Sequence, residues 1–145
     1  FNGRIVLLHV LLRHVSTADL RSLCEGLKAP ENLLEKITEL EEAFVNTAAA
    51  YGPMSIMVPT ELLEEVGYLI ADKAKQLAVA KGAGNVEAHV RDGAPADLIL
   101  AAAEHEKADV IVMGSRGLGH IKGMLMGSVS HKVNHLAECT CITVK

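Results

Sequence analysis

The chain has 145 residues, half of them apolar, and a formal net charge of −4. This is the length of one domain with enough apolar side chains for one core, and its Lys and Arg are scattered among Asp and Glu, so no basic face selects nucleic acid or an anionic membrane. With no Trp, two Tyr and two Phe, a platform for stacking nucleobases is not expected either.

Residues 4–12, RIVLLHVLL, form a continuous apolar run rich in β-branched side chains, which predicts a strand buried on both faces of a parallel sheet with His9 as an interior histidine. The stretch 13–59 is the hardest to read. Within it ENLLEKITELEEAF places Leu33, Leu34, Ile37, Leu40 and Phe44 on a helical stripe introduced by Pro30, and its glutamates read as a solvated outer face. A second helix follows Pro59, with Thr60 as its N-cap and the glycines of AKGAG as its end.

VEAHVRDG then reads as a strand with Val86, Ala88 and Val90 on one face, closed by a turn at Asp92 and Gly93. Pro95 starts the helix ADLILAAAEHEK, and DVIVM, 109–113, is another buried strand. After a glycine-rich loop, SVSHKVNHLAEC is a short helix and ITV the last strand. The alternation of strands and helices predicts an α/β domain with a mostly parallel sheet. In such sheets ligands sit beyond the carboxyl ends of strands, which marks the ends near Val10 and near Met113 and Gly114.

Cys24, Cys139 and Cys141 are an odd number of thiols without metal-site spacing. They fit reduced thiols in a cytoplasmic protein, and the C-x-C pair reads as part of the last strand. No apolar segment approaches the roughly 20 residues of a membrane span, so no membrane insertion is expected. The chain opens on Phe1 and enters a strand almost at once, so residues upstream are expected.

The loop GSRGLGHIKGMLMGSVSH, 114–131, carries the chemistry. Glycines directly after a strand let backbone N–H groups converge on an anion, and the helix starting near Ser128 turns its own unpaired N–H groups and positive dipole end the same way. On spacing alone a second reading stands beside this one: glycine for the turn, and Ser128 as a simple N-cap. The pattern is neither the P-loop nor the dinucleotide fingerprint.

Gly114-x-x-Gly117, nine further residues and then Gly127-Ser128 resemble the ATP-binding signature of the universal stress protein family. The likeness extends to VLLHV, to VRDGAPADLILAAAEHEKADVIVMGSRG and to GSVSHKVNHLAECTCITVK. The resemblance implies a single domain over residues 1–145, with 13–59 as a variable insertion. It also implies an open, mostly parallel five-stranded sheet with helices on both faces and nucleotide at the strand-order switch. The expected ligand is ATP, with Mg2+. By this resemblance Met113, Gly114, Arg116, Gly117, Gly127, Ser128, Val129 and Ser130 line the ribose and phosphates and Val10 touches the adenine; on the chemistry of the loop itself, the hydroxyls of Ser128 and Ser130 can add donors. It further implies a homodimer paired through Ile142, Thr143 and Val144, which would cover an exposed edge.

Two departures accompany the likeness. The family's first strand and helix, with an Asp that reads adenine, have no counterpart before Phe1, so a strand-plus-helix unit of roughly thirty residues is expected upstream. MSIMVPTE, 54–61, is the alternative occupant of that place, with Glu61 where Asp belongs. Thr140 replaces a proline common before the last strand. The favoured function is a nucleotide-holding regulatory or stress-response protein with an unidentified client. A slow ATP hydrolase is a second reading, weakened because no Asp or Glu lies between Gly114 and Leu136 and only His120 and His131 are offered as bases. A nucleotide-free adaptor is the third.

Overall fold

The computed structural model describes residues 3–52, 57–115 and 127–145. They divide into two compact units, Phe1–Arg91 and Asp92–Lys145, each an α/β assembly of parallel strands and helices.

In the first unit β1 (Arg4–Val10) leads through α1 (Thr17–Gly26), α2 (Glu31–Tyr51) and α3 (Thr60–Ala80) to β2 (Asn85–Arg91). β1 and β2 pair in parallel with Arg4 opposite Asn85 and Val10 opposite Arg91, and Leu11 extends the ladder by donating to the Arg91 carbonyl at 2.9 Å. A parallel pair needs a long crossover, and the three helices provide it. Helix α3 lies against both strands, and α1 packs on α2. The core is made by Leu11, Leu20, Cys24, Leu33, Ile37, Val58, Leu62, Leu63 and Val66. Charged pairs fasten its rim: Arg4 with Glu87, Arg21 with Glu41, and Lys36 with Glu65.

Several local expectations are modified here. α1 lies in the stretch that resisted reading, although STAD carried its start signal: the Ser16 hydroxyl oxygen accepts from the Asp19 amide at 3.1 Å. α2 runs past Phe44 to Tyr51, where Gly52 at φ +88° ends it, because the alanine run favours helix and glycine tolerates the left-handed turn. The N-cap of α3 is Pro59 and not Thr60, which is already helical and accepts a hydrogen bond from Arg13 on its hydroxyl. Not all the α2 glutamates are simply solvated, since Glu41 takes a forked bond from Arg21.

The second unit runs α4 (Pro95–Glu106), β3 (Val110–Gly114), α5 (Ser128–Leu136) and β4 (Thr140–Val144). β3 and β4 pair in parallel, Val110 opposite Thr140 and Gly114 opposite Val144. Gly93, at φ +144°, makes the turn before Pro95. Helices α4 and α5 pack together, and Lys132 reaches Asp97 at 2.6 Å.

The resemblance implied five strands in one sheet; the described residues carry four, in two two-stranded sheets. The expectation that the apolar strands are buried on both faces is corrected with it. β1 is half-buried along most of its length, and in β3 Val110 and Val112 are exposed, because each of these strands has one strand partner among the described residues. Cys139 and Cys141 are both half-buried, and only Cys141 lies in β4, so the expectation that the pair belongs to the last strand holds for one of them. Of 54–61, residues 54–56 lie outside the described residues, and Glu61 sits in the first turn of α3.

Candidate functional site

β3 ends at Gly114, and the next residue, Ser115, joins three segments of the second unit. Its N–H donates to the Val144 carbonyl at 2.7 Å, which ties it to the end of β4. Its carbonyl accepts the Gly127 N–H at 2.8 Å and the Ser130 hydroxyl at 2.9 Å. Ser115 and Ser130 are both buried, so these bonds form where water cannot compete for them.

Helix α5 starts from Gly127, which is extended at φ −74° and ψ 159° and gives no side-chain cap. The first bond of the helix runs from the His131 N–H to the Gly127 carbonyl. The N–H groups of Ser128, Val129 and Ser130 therefore precede the helical ladder, and no acceptor for them exists among the described residues. Unpaired donors of a first turn, with the positive end of the helix dipole, form a site for an oxyanion. No acidic residue stands in that turn.

Among the expected site residues, Met113 and Gly114 close β3, and Gly127, Ser128, Val129 and Ser130 form the start of α5. The hydrogen bonds at Ser115 bring the end of β3 and the start of α5 together. Val10 closes β1 in the first unit, opposite Arg91. Arg116 and Gly117 lie outside the described residues, as does His120. The Ser130 hydroxyl, expected to face the anion, is directed instead to backbone carbonyls, of Ser115 at 2.9 Å and Gly127 at 3.0 Å. Sequence reasoning passed over Ser115 itself. Its role is carried by backbone atoms and leaves no signature in the identity of a side chain.

Elsewhere, a shallow hollow beside α2 is lined by Thr38, Glu41, Glu42, Val45 and Asn46. Its carboxylates disfavour an anionic ligand. No group of three or more metal-ligating side chains occurs among the described residues. No helix among them is long and apolar enough to cross a membrane.

Comparison with known proteins places this geometry in context. The profile of the universal stress protein family matches residues 1–145. The Bacillus subtilis universal stress protein YxiE is 36% identical over 111 residues, covering 72% of this chain and 73% of that protein. Against a Thermus aquaticus universal stress protein the identity is 43% over 76 residues, and the match spans only 56% of the relative. The Methanocaldococcus jannaschii universal stress protein MJ0577 is 28% identical over 142 residues, 97% of this chain and 76% of its own length. A solved structure of MJ0577 has a TM-score of 0.54 at 23% identity, covering all of this chain and 77% of that one. That likeness supports the α/β fold.

Proposed function

The chain belongs to the universal stress protein family, and on that premise we propose that it holds ATP, with Mg2+, as a nucleotide-dependent regulatory module. The observation that carries this reading is the start of α5. Ser128, Val129 and Ser130 present N–H groups without acceptors among the described residues, next to a strand end that Ser115 fixes in place. A triphosphate supplies the oxygens those donors lack, and the helix dipole favours its charge.

In this reading Met113 and Gly114, at the end of β3, contribute to the ribose and phosphate contacts. On the same reading the first turn of α5 binds and orients the nucleotide, and the module acts chiefly as a holder, with slow hydrolysis as the alternative. Two copies pair through Ile142, Thr143 and Val144, an edge on which Ile142 and Val144 are exposed. Its three free thiols suit a reducing cytoplasm.

Denaturing the purified protein and analysing the supernatant for nucleotide tests the proposal. ATP is expected, together with a rise in melting temperature on adding Mg-ATP. Absence of both overturns the reading. Accumulation of ADP over hours from bound ATP would replace a holder with a slow hydrolase.

A further inference from the structure

We infer that Ser130 is a positioning residue of the anion site and that its hydroxyl does not itself bind phosphate. The inference rests on the nucleotide-holding role proposed above for α5. The Ser130 hydroxyl has one hydrogen, and among the described residues its two acceptors are carbonyls, Ser115 at 2.9 Å and Gly127 at 3.0 Å. The side chain is buried, with the residue only 4% exposed. To donate to a phosphate it would have to leave a three-centre bond and strip the buried Ser115 carbonyl of one of its two donors.

The bond has a mechanical consequence. The Ser115 carbonyl receives the Gly127 N–H at 2.8 Å and the Ser130 hydroxyl, from the residues immediately before and within the first turn of α5. Two bonds to one oxygen fix both the position and the rotation of that turn against the end of β3. The direction of the N–H groups of Ser128, Val129 and Ser130 follows from that rotation. Ser130 thus acts on the anion through backbone donors, its own N–H among them, while its hydroxyl holds their aim. Ser115 is held from its other side by the Val144 carbonyl, so the joint has a fixed base.

The test compares native protein with Ser130→Ala and Ser130→Thr, measuring ATP and adenosine affinity by calorimetry and amide exchange at Gly127 in nucleotide-free protein. Ser130→Ala should weaken ATP by about tenfold, the scale of one lost hydrogen bond. Adenosine affinity should stay unchanged and Gly127 exchange should accelerate severalfold. Ser130→Thr, which keeps the hydroxyl, should restore both readouts toward native. If Ser130→Ala does not fold, Ser130→Cys, nearly isosteric and a weak donor, takes its place with the same expected direction. A loss of ATP affinity with native Gly127 exchange makes the hydroxyl a direct ligand and overturns the inference. Equal losses for ATP and adenosine also overturn it, because they indicate a general structural defect. If native protein binds no ATP, the function proposed above fails, and the Gly127 exchange rate still decides whether the hydroxyl holds the joint.

Discussion

The Ser130 hydroxyl lies 2.9 Å from the carbonyl oxygen of Ser115, a residue whose N–H is bonded to Val144. One residue thereby links the last strand, the end of β3 and the start of α5. Losing the hydroxyl leaves the Ser115 carbonyl with the Gly127 N–H as its remaining donor, so Ser130→Ala should cost about 1 kcal/mol of stability. Urea unfolding of native and variant protein measures it, with an unchanged slope expected.

Gly67 brings the backbone of α3 close to side chains of the first sheet. A Cβ there would lie 2.9 Å from Val90 Cγ1, 3.1 Å from His9 Cδ2 and 3.3 Å from Leu11 Cδ2. Alanine is the better helix former by about 1 kcal/mol, yet overpacking against two strands costs about 1–3 kcal/mol. Gly67→Ala should therefore destabilise on balance, read as a lower denaturation midpoint. A stabilised variant would show that the helix moves away freely.

His9 gives the first unit a pH dependence. Burial disfavours its charged form and lowers its pKa from the ordinary 6.5. Between the folded and unfolded values the unfolded chain binds more protons, so stability rises with pH there. The contribution is present in full above the unfolded value and falls as pH drops from 6.5 toward the folded value, below which it changes no further. His9→Gln should flatten this part of the stability profile, as followed by denaturant melts across the acid range.

Cys24 is fully buried, and burial pushes its thiol pKa up. A neutral, inaccessible thiol is a poor nucleophile. In native protein, Cys24 should stay unmodified by iodoacetamide while Cys139, half-buried, reacts first. Mass mapping of the alkylated peptides checks the order, and denaturation should release Cys24.

Ser16 caps α1 through the 3.1 Å bond from Asp19 N–H. Ser16→Ala should cost about 1 kcal/mol, measured by the same unfolding experiment. Ser16→Asp retains an acceptor and should recover most of that loss.

Much of this architecture was legible along the chain. RIVLLHV and VEAHVR announced strands, and Pro95 and the glycines after Ala80 marked helix ends, because these signals act over a few neighbouring residues. α1 escaped notice because its cap, Ser16 with Asp19, precedes a helix with only a short apolar stripe. The residues singled out by the glycine spacing from Gly114 to Ser128 include those at the end of β3 and the start of α5. That spacing did not single out Ser115, whose three hydrogen bonds use only its backbone.

The sequence by itself determined the alternation of the four strands with most of the helices, and the family, since periodicity, capping and glycine placement are written in residue types. Only the tertiary structure decided which hydroxyl is engaged and which N–H groups are left open. Ser128 and Ser130 are the same residue type two positions apart. Ser130 meets the carbonyls of Ser115 and Gly127 in a buried joint, and that meeting depends on the fold bringing residue 115 beside residue 130.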